Sequence, residues 1–266
     1  MATIGIVSCR IFEDELTFLM KKEQEKKTRL ILIETDFTET IEKKFNFEKI
    51  VYEKIQADEL ENKLKEPADA EDTIVLQLIE FSMEAHPERI KDMVYDKIQD
   101  LQSYVSGILV FYGLCGNVLG NVDNDLSTPD CPVRILRDED GDIGDDCICI
   151  SIGSRKKYVH IIRTDGKEGT YFLTPMQAAH WREIAYASAL TPDPNDDEML
   201  KMVFEYSNYK NVGKVSTGLQ YEENYDQVVD DFSNRFNLKI LEYEGNSSII
   251  ENSFERFMKS LKSNSA

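Results

Sequence analysis

Residues 105–117, Val-Ser-Gly-Ile-Leu-Val-Phe-Tyr-Gly-Leu-Cys-Gly-Asn, constrain the fold of this chain more than any other stretch. The apolar run 108–112 is short, β-branched and aromatic, and it stops at Gly113. A run of that kind bounded by glycine reads as a buried strand. Cys115 follows, held between Gly113 and Gly116. Glycines there let the backbone take positive φ and approach a ligand closely. A buried strand that delivers a thiol into a glycine-rich loop belongs to a parallel α/β sheet, whose ligands sit at the carboxyl ends of the strands.

The start of the chain has the same design. Residues 3–8 form a strand-like run with Cys9 just beyond it. A helix is expected over 13–22, where Leu16, Phe18, Leu19 and Met20 recur, and a strand over 30–33. Strand, helix and strand within about 30 residues make a βαβ unit. Cys9 then occupies its ligand-binding turn, without a GxGxxG fingerprint. Residues 40–64 are charged and read as mostly helical, and 71–78 as a strand or the start of a helix. Residues 87–105 form an amphipathic helix that leads into the central strand.

Beyond Cys115, the sequence predicts a helix from 116–119, a strand over 133–136 and a helix over 147–163 capped by Asp145 and Asp146. Alternation across 147–152 permits a strand instead. Helices follow at 175–190, 198–209, 221–236 and 248–261, with strands at 212–216 and 238–243. The expected fold is α/β and Rossmann-like: several βαβ units, a mostly parallel sheet or sheets, and helices on both faces. It is expected as one domain over 1–266, with two lobes or pseudo-repeated units, 1–106 and 107–266, as the alternative. Three special turns, Ser8-Cys9, Gly113 to Gly116 and Thr217-Gly218, are candidates to surround one central site.

Charge narrows the partners. A net charge of −19 over 266 residues argues against nucleic acid or an anionic membrane surface as a partner, because both need a basic face. No apolar run approaches the roughly 20 residues of a membrane span. Residues 4–9 are too short for a secretory h-region and lack a basic flank, so a cytoplasmic location with reduced thiols is expected. The five cysteines include no CxxC pair, which excludes a standard zinc knuckle.

The sharpest chemical reading takes Cys9, Cys115 and Cys147 as three thiolates converging on one iron–sulfur cluster or transition metal such as zinc. Three protein thiolates leave one coordination position open. The competing reading is that cysteine packs as a small hydrophobe, which is favoured for Cys131 and Cys149. Gly113, Gly116, Asn117 and Asp146 are candidates to contact a small-molecule ligand, although Asn and Asp also cap helices routinely. A non-metal version makes Cys115 a nucleophile or redox thiol at a helix N-terminus. Of its candidate bases, His86, His160 and His180, the best placed is His160, on the same predicted helix as Cys147. Arg155, Lys156 and Lys157 form a small cationic cluster that suits an anion or a solvated helix face. Tyr112, Tyr158 and Tyr171 are candidates to line a pocket.

At these motifs the chain resembles the DUF1638 family of archaea and anaerobic bacteria. The resemblance is carried by Cys9, the run 111–117 (Phe-Tyr-Gly-Leu-Cys-Gly-Asn), Asp146-Cys147-Ile148, Gly153-Ser154, Tyr158, Gly169-Thr170-Tyr171 through Thr174, Tyr209 and Thr217-Gly218-Leu219. The chain departs from the family pattern after Thr174, where Pro175-Met176 follows and Trp181 comes later. The resemblance implies an association with corrinoid methyltransferase components and one-carbon metabolism. The function expected first joins the two readings: a cysteine-ligated metal or iron–sulfur protein that serves such metabolism. The alternative is a non-enzymatic small-molecule or corrinoid-binding accessory protein with structural cysteines.

Overall fold

A computed structural model describes residues 2–81, 87–164 and 168–264; His86 lies outside them. The first part of the chain forms β1 (Thr3–Cys9), α1 (Glu13–Gln24), β2 (Thr28–Ile33), α2 (Thr38–Phe47), β3 (Glu53–Ile55), α3 (Leu60–Lys65), β4 (Asp72–Ile79), α4 (Pro87–Gln102), β5 (Gly107–Phe111), α5 (Val122–Leu126) and β6 (Val133–Ile135). The second forms α6 (Cys147–Ile152), α7 (Arg155–Thr164), β7 (Gly169–Leu173), α8 (Pro175–Ala179), α9 (Trp181–Ala187), α10 (Asp197–Tyr206), β8 (Tyr209–Ser216), α11 (Tyr225–Phe236), β9 (Lys239–Glu244) and α12 (Ser248–Asn264).

Strands β4 and β5 are buried along their whole length, as parallel strands covered on both faces must be. Six strands form one sheet in the order β3-β2-β4-β1-β5-β6, and β7-β8-β9 form a second. Every strand pair in both is parallel. The arrangement is the Rossmann-like α/β fold expected from the sequence. Two glycines admit the helices. A Cβ on Gly5 would touch Leu101 of α4 and Val105, whereas one on Gly107 would press into Phe257 and Leu261 of α12. Gly5 pairs with Ile108 and Gly107 with Ile4, and successive residues of a strand face opposite ways. So α4 and α12 cover opposite faces of the first sheet.

The connection leaving β1 runs toward β2, and the one leaving β5 runs the other way, toward β6. Adjacent strands whose crossovers diverge open a crevice at their carboxyl ends. Cys9 and the Gly113–Gly116 turn stand at that crevice.

The structure departs from the sequence reading in several elements; the helix expected over 175–190, for one, is split into α8 and α9 at His180. No helix starts at Gly116: Cys115, Gly116 and Asn117 have φ of +44°, +74° and +67°, a left-handed run that a right-handed helix cannot use. The helix expected over 147–163 is two, because Gly153 takes φ +86° and ends α6. The segment 40–64 contains β3, whose one buried residue, Ile55, gave no periodic signal. The 106/107 break falls between α4 and β5, inside the first sheet.

A buried ionic network joins the two sheets' surroundings. Lys44 of α2 places Nζ 2.6 Å from Asp14 Oδ1, 2.7 Å from Glu222 Oε1 and 3.4 Å from Glu13 Oε2. Arg10 donates to Glu13 and, at 3.1 Å, to Glu183 of α9. Burial pulls the Lys44 ammonium down, but Asp14, Glu13 and Glu222 outweigh it and the net shift is upward. Glu15, next to this network and only 4 % exposed, is pushed by burial and then by Asp14 from 4.5 up to about 8.

Between those two values the unfolded chain has released the Glu15 proton while the folded chain still holds it. Stability should therefore fall as pH rises from 5 to 8, by up to about 1.4 kcal/mol per pH unit from this group. Glu15→Gln should flatten the decline and raise the urea midpoint most at pH 8. Urea melts at pH 5, 6, 7 and 8 check this; parallel pH profiles for the two proteins would refute it.

Candidate cysteine-lined site

Beyond the carboxyl ends of β1, β4 and β5 three segments close around a cavity of about 320 Å³. Cys9 ends β1, Phe81 follows β4, and Tyr112, Gly113, Cys115 and Gly116 follow β5; all of them line it. Asp145, Asp146 and Cys147 enter from the segment leading into α6. That segment is tied to the β5 turn by main-chain bonds: Leu114 N–H donates to Gly144 O at 2.8 Å, and Cys115 N–H donates to Asp145 O at 3.2 Å. Contact this close needs a residue without a side chain. A Cβ on Gly113 would lie 2.7 Å from Gly144 O and 2.9 Å from Asp146 Cα. Gly113 is thus required by the approach of another backbone, and Gly116 by its positive φ.

Cys9, Cys115 and Cys147 of the sequence reading all line this one cavity, and the Cys9 thiol donates to Glu80 O at 3.9 Å. Gly113, Gly116 and Asp146 line it too, whereas Asn117 lies outside the lining, in the left-handed conformation that asparagine tolerates. No disulfide joins any of the five cysteines. Among the described residues, no three His, Cys, Asp or Glu side chains are grouped as ligands of a metal ion. Cys131 and Cys149 are buried away from the cavity, and burial pushes their thiols up to about 11 and 12. Both therefore pack as small hydrophobes.

Two polar side chains complete the wall. Asp146 caps α6, accepting from Cys149 N–H at 2.8 Å, and its other oxygen accepts from the Tyr158 hydroxyl at 2.6 Å. Burial raises the Asp146 carboxyl, with the Tyr158 bond opposing it, and burial followed by Asp146 raises the Tyr158 phenol. Gln177, which the sequence reading missed, donates from Nε2 to Cys147 Sγ at 3.3 Å. Its orientation is settled by a capping box at α8: Gln177 Oε1 accepts from Thr174 N–H, and Thr174 Oγ1 accepts from Gln177 N–H. Only the amide nitrogen then remains to face the sulfur. The signal was present as Thr174-Pro175-Met176-Gln177, the S/T-x-x-Q pattern of such a box.

Other expectations fall elsewhere. His160 is exposed on α7, separate from the Cys147 helix. His180, at the break between α8 and α9, packs its ring on Phe81 with 5.2 Å between centroids; burial and then Arg10 hold its pKa low. Neither lines the cavity. The cationic cluster is engaged by the chain's own acceptors: Arg155 with Asp145, Lys156 with Asp140, and Lys157 with Glu244 O. Thr217-Gly218 lies at a separate depression beside Glu222, Glu223 and Asp226, so the third special turn does not join the other two.

A second chamber of about 600 Å³ adjoins the first and shares Asp146, Gln177, Ile184 and Ser188 with it. Tyr158 and Tyr171 line this chamber, and Tyr112 lines the cysteine cavity. No described helix is long and apolar enough to cross a membrane.

A parallel α/β protein with a thiol-lined crevice at its topological switch point is the class these features define. The chain belongs to the DUF1638 family, described as proteins of unknown function, whose match covers residues 78–254, two-thirds of the sequence. The match takes in Cys115, Cys147 and Gln177 and leaves out Cys9. No curated protein and no solved structure matches the chain.

Gly113→Ala should force residues 144–146 away from the β5 turn and cost about 1–3 kcal/mol, as overpacking does. A urea midpoint equal to that of the wild type would show that the two segments are not held in contact.

Proposed function

We propose that the cavity holds a thiolate-ligated iron–sulfur cluster or transition metal through Cys9, Cys115 and Cys147. The observation that carries this reading is the gathering of sulfur. Five cysteines spread evenly over 266 residues would put fewer than one among the fourteen lining residues, and three are there, from three separate segments. Soft thiolates select iron–sulfur clusters, zinc or copper(I). A single zinc needs only enough room for metal–sulfur bonds of about 2.3 Å, and a cavity of about 320 Å³ is far larger; a cluster is the better fit.

When bound, a cluster held by three protein thiolates supplies redox chemistry and one iron open to a ligand. The chain's own residues do the rest. Gln177 donates to Cys147 Sγ, which fixes the position of that side chain. Ile11, Phe12 and Phe81 provide an apolar wall, and hydrocarbon around such a site limits water. The reading places the protein in the cytoplasm, where thiols stay reduced. Corrinoid-linked methyl transfer, implied by the family resemblance, is the proposed metabolic setting.

Anaerobic purification followed by reconstitution with iron and sulfide tests the proposal. The protein should turn brown and retain both elements. Cys115→Ala and Cys147→Ala should lose them, while Cys131→Ala should keep them. A colourless, metal-free product with three titratable cavity thiols would leave a small-molecule binding protein with structural cysteines as the reading. Equal behaviour of Cys115→Ala and Cys131→Ala would overturn the ligand assignment.

A further inference from the structure

The second chamber has a character of its own. Five aromatic rings line it, those of Tyr158, Tyr171, Phe172, Phe204 and Tyr209. They are fixed by one another and by the core behind them. Tyr171 stacks on Phe232 at 5.5 Å with 13° between planes, and its centroid lies 5.2 Å from that of Phe204. Phe204 in turn meets Tyr209 at 5.5 Å, and Tyr158 meets Phe172 at 6.2 Å. The wall is therefore built before any ligand arrives. Its volume of about 600 Å³ lies inside the usual range for small-molecule sites.

Charge is distributed unevenly around this wall. The described residues lining either chamber include no lysine, arginine or histidine. They include the carboxyl groups of Glu168 and Asp146, the latter at the wall shared with the cysteine cavity; burial raises the Asp146 group, and a cation seated against it would favour its charged form. Asp145 next door is paired with Arg155 at 2.9 Å. Asp146 is bonded instead to a phenol and a backbone N–H, and among the described residues it has no ion-pair partner. Phosphorylated ligands, the usual occupants of switch-point crevices in such folds, need cations or a helix N-terminus to receive them. The aromatic chamber presents the opposite sign. Aromatic faces and a carboxylate together are the surroundings that bind substituted ammonium groups.

We propose that this chamber binds an organic cation (a substituted ammonium on an apolar body) with its charge toward Asp146. The inference is independent of the metal reading, because the rings and Asp146 are present whether or not the neighbouring thiols hold a cluster. It also sets an orientation. The charged end lies at the wall that Asp146 and Gln177 share with the cysteine cavity, and the apolar body lies among Phe172, Phe204 and Tyr209.

Three probes of one shape test it by calorimetry and saturation-transfer NMR on the full chain: benzyltrimethylammonium, its uncharged isostere neopentylbenzene, and the anion benzylphosphonate. The cation should bind at least tenfold more tightly than the neutral probe, and the anion should not bind. Val203→Trp, on the partly exposed α10 wall of the chamber, should abolish binding while circular dichroism stays native. Asp146→Asn keeps a residue that caps well and should erase the preference for cation over neutral probe. Cys115→Ala should bind benzyltrimethylammonium as the wild type does, which separates this result from loss of a cluster. The proposal is overturned if the anion binds as well as the cation, if the neutral probe equals the cation in the wild type, if Val203→Trp binds unchanged, or if no cation binding is seen at millimolar concentration.

Discussion

Two backbone hydrogen bonds, from Leu114 N–H to Gly144 O and from Cys115 N–H to Asp145 O, hold the site together. They splice the turn after β5 to a segment some thirty residues later, ahead of α6. Side-chain attraction does not set this approach; it depends on the missing Cβ of Gly113, which lets two backbones touch. Once they touch, the rest follows locally. Asp146, pressed against Gly113, becomes the cap of α6, and the residue after it, Cys147, is delivered beside Cys115. Cys9 needs no such device, because β1 and β5 are neighbours in the sheet.

The second layer of organisation is ionic. Lys44 and Arg10 belong to the first part of the fold, and Glu222 and Glu183 to the second. Removing such groups from water costs several kcal/mol each, and their mutual attraction offsets that only with good geometry. The network is therefore weak evidence for stability and better evidence for position. Glu183 adjoins Ile184, which lines both chambers, so the Arg10 contact sets where α9 sits over the cavity. Burial without full compensation also explains why Glu13, Asp14 and Glu15 are all shifted upward.

Much of this was legible in the chain because the signals were local. Apolar runs ending in Ser8-Cys9 and Tyr112-Gly113 gave the central strands and the edge that carries the site. Cys131 and Cys149 read as packing residues and are buried, although Cys149 sits in the first turn of α6, at a helix terminus. The unreadable parts depend on contacts between distant segments. The left-handed run 115–117 looks like a helix start when only composition is seen, since Gly and Asn suit both. Gly153 ends α6 through its left-handed φ of +86°, and a Cβ there would collide with the Asn246 side chain, 2.4 Å away; nothing near residue 153 announces that partner. Lys44 and Glu222 are ordinary surface residues by sequence and become a pair, Lys44 buried and Glu222 partly so, only when the two parts of the chain meet. The aromatic chamber is hidden for the same reason: Tyr158 and Tyr209 are fifty residues apart and on different elements.

The charges of the two chambers point to a common requirement. Thiols at Cys9, Cys115 and Cys147 that ionise would add negative charge beside Asp146, in a wall whose described residues supply no cation. Buried charge of one sign is not sustained in a low-dielectric space; it is neutralised by protonation or by a partner. Cys131 and Cys149 show the first outcome, their thiols kept neutral by surrounding hydrocarbon. Burial pushes the Asp146 carboxyl the same way, and the second outcome there would draw its positive charge from a ligand, since the described lining residues include no Lys, Arg or His. Irons between the sulfurs and an ammonium against Asp146 would each supply it.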